Sequence, residues 1–244
     1  MKLRNCREYV LICCILMLFF GILISGCVEN PAKAPETMIN TTTSPNATGD
    51  PRISSNNSSV LFNVTGTGTP DLSMKELNVT SNLDADWKAF RIINMDLTTR
   101  YLSLDLSKSD DINYLRYSLL PETSGNIENI RSDLETIQPV TPDQENETDT
   151  LMSMTNYTLL KYQTLSEMLH ATQYANMHDP ADLKSEIRNA RLTVMDALDI
   201  VNAKDLTSYP SMYRDQIAAD KAELTDMMSQ IDTYTRSVYL TPTD

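Results

Sequence analysis

The chain has 244 residues, with 33 acidic against 20 basic side chains and a formal charge of −13. So acidic a molecule repels phosphate backbones and anionic lipid surfaces, which excludes nucleic acid and leaves a basic protein or a cationic wall component as charge-matched partners. Only Gly125 of the six glycines lies beyond residue 70, too few for phosphate-cradling loops or strand-rich folds, so composition points to helices.

The first element decides where the rest of the chain works. Lys2, Arg4 and Arg7 precede an apolar run over residues 9–27 that ends in small residues. A basic start, an apolar stretch and small residues at its end are the pattern of a secretory signal. Its last four residues, Ile24, Ser25, Gly26 and Cys27, resemble the lipobox of prokaryotic lipoproteins. The resemblance implies cleavage before Cys27 and a lipid on its thiol. The run is also about long enough to cross a ~30 Å hydrocarbon core, so an uncleaved signal-anchor is the alternative reading of residues 1–26, with plain secretion a third. In the lipoprotein and signal-anchor readings the basic end stays in the cytoplasm and the remainder faces outside. All four cysteines lie at or before position 27. After cleavage the exported part would have no intramolecular disulfide and no cysteine nucleophile.

Residues 27–69 read as a disordered linker rich in Thr, Asn, Ser and Pro. Such a tract cannot bury enough apolar surface to offset the entropy of ordering; the short apolar run at Val60, Leu61 and Phe62 is the exception. As a flexible tether it would span roughly 35 Å. It is dense in Asn-X-Ser/Thr acceptors: Asn40, Asn46, Asn56, Asn57 and Asn63, followed by Asn78 at the start of the next region and by Asn146 and Asn156 further on. Lipobox, acceptors and acidic body together resemble small surface lipoproteins of methanogenic archaea. The resemblance covers the signal and linker only.

From residue 70 to 244 the pattern is helical. Ser73 and Glu76 have the spacing of a capping box. Leu83, Trp87, Phe90, Asn94, Leu97, Tyr101 and Leu104 step by threes and fours along one face of a helix of about 25 residues. Residues 107–111 break it and supply a new start, with Asp110 and Asp111 suited to the positive helix end. Ile112, Leu115 and Leu119, then Ile127, Ile130, Leu134 and Ile137, keep register across Pro121 and Gly125. They predict one kinked helix or two short stacked ones, ended by Pro139 and Pro142. A third helix is expected from near Thr148, with Leu151, Met154, Thr158, Tyr162, Leu165 and Leu169 inward and Asn156 on the opposite face. Asp179 and Pro180 are a start signal for a fourth, carrying Leu183, Ile187, Ala190, Val194, Ala197, Leu198 and Val201. The fifth, after Pro210, carries Ile217, Leu224, Met228, Ile231 and Val238. Short connections make sequential helices antiparallel neighbours. The expected fold is all-α: an antiparallel up-down bundle of four to five long helices after the targeting segment and linker.

Few constellations suggest chemistry. Glu167 and His170 match one Glu-x-x-His element of di-metal bundles, but a second such element and two further glutamates are missing; the pair reads as solvated. The acidic run Asp143, Glu145, Glu147 and Asp149 alternates like a calcium loop, yet Thr148 and Met154 stand where an EF-hand needs glycine and glutamate, so it reads as a solvated loop. Neither a nucleophile–base pair nor a Gly-x-Ser-x-Gly elbow is present. The methionines (Met152, Met154, Met168, Met177, Met195, Met212, Met227 and Met228) and the tyrosines (Tyr157, Tyr162, Tyr174, Tyr213 and Tyr234) read as packing. The sequence therefore predicts a non-enzymatic bundle held at the cell membrane and facing outside, binding or scaffolding in the envelope, with no cofactor and no metal. A small-molecule-sensing ectodomain is the alternative, and a metal-dependent enzyme a more distant one.

Overall fold

A computed structural model describes residues 71–240, which are almost entirely helical and contain no strand. The helices are α1 (Asp71–Leu102), α2 (Ser109–Tyr114), α3 (Leu120–Thr136), α4 (Pro142–Met177), α5 (Pro180–Asn202) and α6 (Ser211–Leu240). A π turn at Leu115–Leu119 joins α2 to α3, so the two form one continuous run. A short 3-10 turn at Leu206–Ser208 precedes α6. No helix among the described residues is long and apolar enough to cross a membrane. The targeting segment, residues 1–26, and the linker, residues 27–69, lie outside the described residues.

Pairs of touching side chains fix the helix directions. Arg100 on α1 meets Glu122 on α3 while Asp86 feels Asp133, so numbers rise on one helix as they fall on the other: the pair is antiparallel. The same holds for α4 and α5, where His170 lies 3.8 Å from Glu186 and Thr193 bonds Glu167. Between α4 and α6 the numbers rise together, Tyr157 with Asp220 and Lys161 with Glu223, as they do between α1 and α4, Gln144 with Thr80 and Tyr162 with Asn94. Five helical runs thus alternate up and down, with α1, α4 and α6 pointing one way. The central helix is α4, which packs against α1, α3, α5 and α6.

The apolar stripes supply the core. On α1, Leu83, Phe90, Leu97 and Tyr101 are buried, with Trp87 partly so and stacked on Phe90. On α6, Tyr213, Ile217, Asp220, Leu224, Met227, Ile231 and Tyr234 are all buried and alternate by fours and threes, the spacing of a packed helix seam. Methionines divide: Met154, Met168 and Met227 are buried, whereas Met177, Met195 and Met212 are exposed and do not fill the core. Four of the five tyrosines read as packing, Tyr157, Tyr162, Tyr213 and Tyr234, are buried.

Several boundaries differ from the sequence reading. Helix α1 already includes Asp71 and runs for 32 residues, so Ser73 lies inside it instead of capping it. Around Pro121 the helix neither breaks nor stacks as two. The N–H of Leu120 bonds the carbonyl of Leu115, a reach of five residues. Widening the turn by one residue just before the proline accommodates a ring that would otherwise crowd the preceding turn. Pro142 opens α4 instead of closing the previous helix. Thr141 is the N-cap, its hydroxyl accepting from the Gln144 N–H at 3.3 Å, while the Gln144 side chain accepts from the Val140 N–H at 3.0 Å. That is a capping box in all but one residue of register, with proline at its favoured first position. At the other end of α4, His178 takes the left-handed conformation at φ 57°, and the Asp179 N–H returns to the Tyr174 carbonyl. Asp179 then caps α5, accepting from the N–H groups of Ala181 and Asp182, as the sequence predicts.

Candidate functional site

The most concentrated chemistry lies in the core between α4 and α6. Tyr157 and Lys161 are one turn apart on α4; Asp220 and Glu223 are three apart on α6. All four are buried. The Tyr157 hydroxyl donates to Asp220 Oδ2 at 2.6 Å, and Gln216 donates to Asp220 Oδ1 at 3.0 Å. Lys161 Nζ donates to Glu223 Oε2 at 3.2 Å and lies 5.7 Å from the Tyr162 ring centre. Burial disfavours the Lys161 cation, but attraction to Glu223 and Asp220 outweighs it and leaves its pKa above the ordinary value. Burial, reinforced by repulsion from Asp220, pushes Glu223 up despite Lys161. Burial and the adjacent Asp220 likewise raise the Tyr157 phenol. One cation beside two carboxyl groups leaves the cluster one positive charge short, so repulsion from Asp220 adds to burial in raising Glu223.

A second cluster joins the π turn, α4 and α5. Its members are Glu167, His170, Glu186 and Arg116. The Glu-x-x-His element is thus not a solvated pair. Both its residues are half-buried; Glu167 accepts from Gln163 at 2.9 Å and from Thr193 at 3.2 Å, and His170 faces Glu186. Arg116, carried by the π turn, bonds Gln173 and lies over the Tyr117 ring. Burial and then Arg116 lower the His170 pKa, and burial raises Glu167 and Glu186. Among the described residues no group of three or more histidine, cysteine, aspartate or glutamate side chains is placed to hold a metal ion.

The acidic run of residues 143–149 is not a loop. It forms the first two turns of α4, a rigid helix that cannot wrap a cation as a calcium loop does. Asp143 and Glu145 there face the positive helix end. Burial, then Asp84 on α1 and Asp143, raise the Glu147 pKa.

The remaining sequence candidates are dispersed. Cys27 and the acceptors Asn40, Asn46, Asn56, Asn57 and Asn63 lie outside the described residues. Asn78 is exposed on α1. Asn146 is half-buried, its amide donating to the Ser208 carbonyl at 3.4 Å. Asn156 is half-buried between Thr155 and Tyr157, both buried, and so is not on a free face of α4. Sequence reasoning missed the Tyr157, Lys161, Asp220 and Glu223 cluster. The available signal was Asp220, which stands seven residues from both Tyr213 and Met227 in an otherwise apolar seam.

One more feature stands apart from both clusters. Helix α1 carries two exposed apolar doublets opposite its core stripe, Met74 with Leu77 and Ile92 with Met95. Met74, Leu77, Ile92 and Met95 are 65%, 72%, 60% and 56% exposed. No protein family, no curated protein and no solved structure matches the chain.

Proposed function

We propose that this protein is a non-enzymatic helical bundle, tethered to the cell membrane by its N-terminal segment and facing outside, that binds or scaffolds another protein of the envelope. The two apolar doublets of α1 carry this reading. A helix that packs one stripe into a core gains nothing from exposed pairs of large apolar side chains on the opposite side. Such pairs on a soluble surface mark protein contacts. The interior clusters favour an architectural role: Lys161 is engaged by Glu223, and Asp220 by Tyr157 and Gln216. The N-terminal part of the reading rests on the lipobox resemblance at Cys27, with the acceptors from Asn40 to Asn78 as glycan sites on and beside the tether.

Two measurements test it. Intact mass of protein extracted from its own membranes should give a chain beginning at Cys27 with added lipid. A chain beginning at Met1 without lipid would refute lipidation and leave the uncleaved anchor. Photoreactive residues placed at Leu77 and Ile92 in the intact envelope should trap a protein. Trapping no greater than from a control at exposed Lys221 on α6 would overturn the scaffolding role.

A further inference from the structure

The exposed face of α1 has an internal repeat. Met74 and Leu77 are spaced by three, as are Ile92 and Met95, and the second doublet follows the first by 18 residues. Eighteen residues are five helical turns, so the doublets share one side of the helix, ~27 Å apart. Between them on the same side stand Ser81, Asp84, Ala85 and Lys88, all exposed. The midpoint of the doublets falls between Asp84 and Ala85.

We propose that this face binds a second copy of the same chain, with the two α1 helices antiparallel and the two-fold axis at Asp84 and Ala85. The inference rests on the scaffolding reading above and names its partner. A two-fold interface requires a surface complementary to itself, in which residue i meets j and j meets i. Antiparallel pairing about this midpoint sets Leu77 on Ile92 and Met74 on Met95, each twice. At the axis the short side chain of Ala85 lets the helices approach closely, and one turn away Ser81 leaves room for Lys88 of the other copy. Lys88 reaches Asp84 of the other copy, again twice, so opposite charges meet at the centre. That balance matters in a chain of charge −13, whose copies repel each other over most of their surface. Asn78 lies beyond Met74, on the side away from Leu77, so a glycan there projects beside the seam. A single helix face of this kind supplies less than the ~800 Å² per partner of a standard interface. The pair is therefore weak in dilute solution and forms when tethering to one membrane raises the effective concentration.

Cysteine cross-linking of the full-length protein in membranes tests the geometry. Leu77 and Ile92 are ~22 Å apart along one helix and cannot link within a chain. The double variant L77C/I92C should link copies to each other, and A85C alone should do so at the axis. L77C alone and I92C alone should not. Links are assigned from the joined peptides, so that Cys6, Cys13, Cys14 and Cys27 do not count. A85R, a change at an exposed position, should reduce linkage of L77C/I92C by about tenfold or more, a loss equivalent to one decade in affinity. Linkage of L77C to itself would mean a parallel pair, and absence of the 77–92 link would mean no such dimer; either overturns the inference. Photo-trapping of a different protein at Leu77 with no 77–92 link would remove the dimer while leaving the scaffolding reading in place.

Discussion

Lys161 and Glu223 are each less than a tenth exposed, and their energetics are asymmetric. Removing one partner strands a buried charge, at a cost of about 3–5 kcal/mol, whereas replacing both with apolar side chains of similar size is close to neutral. Lys161→Ala should therefore lower unfolding stability by about that amount, and Lys161→Met combined with Glu223→Met should recover most of it in urea titrations. Proton linkage gives a second test. Burial and Asp220 raise Glu223 above its ordinary value of 4.5 in the folded state. The native state then binds the proton more tightly than the unfolded chain, so this contribution is fully present below pH 4.5 and is lost as pH rises through the folded value. Stability measured upward from pH 4.5 should decline more steeply in the wild type than in Glu223→Gln. Equal slopes would place the proton elsewhere.

At the scale of the element, the helix ends carry the strongest local signals. Thr141 caps α4 through the Gln144 N–H, and Thr141→Ala should cost about 0.5–2 kcal/mol in thermal unfolding. Gly125 sits inside α3, where an added Cβ would meet nothing within 4 Å. Gly125→Ala should stabilise the protein by roughly 0.5–1 kcal/mol, because the helix interior favours alanine and no neighbour is displaced. A loss of stability instead would count against this reading of the open space around Gly125. The start of α5 was legible because Asp179 and Pro180 satisfy a local rule. The start of α4 was equally local, yet Pro142 reads two ways: a proline both ends a helix and opens one. Only Gln144 three residues after Thr141 distinguishes them.

For the molecule as a whole, the up-down alternation follows from short connections between long amphipathic helices. Which helix is central does not. Helix α4 buries Thr150, Thr155, Thr158, Thr164 and Thr172 along with its apolar stripe. Thr150, Thr164 and Thr172 return their hydroxyls to the carbonyl four residues earlier, and Thr155 to the one three earlier. A threonine that bonds its own helix presents mainly its methyl group to neighbours, so α4 can be enclosed on several sides while reading as polar. The proposed tether also makes a forecast at this scale. Held by lipid or by an apolar span, and with no electrostatic attraction from an acidic body, the protein should remain with membranes in 1 M salt. Release into the soluble fraction at high salt would point to a peripheral, charge-mediated attachment instead.

The sequence by itself determined the helical class, the core stripes of α1, α3, α4 and α5, and the α5 cap, because each depends on residues within a turn or two of one another; on α6 it marked Ile217, Leu224 and Ile231, but put Met228 and Val238 inward where Met227 and Tyr234 are the buried residues. Tertiary structure decided what depended on distant partners. Asp220 and Glu223 become a core network only because Tyr157 and Lys161 arrive beside them from more than 60 positions away in the chain. Glu167 and His170 become half-buried only when α5 brings Glu186 and Thr193 against them. The second face of α1 emerges by the same logic. Spacing alone marks Met74, Leu77, Ile92 and Met95 as one side of a helix, but that side is exposed because Leu83, Phe90 and Leu97 have already committed the other to the core.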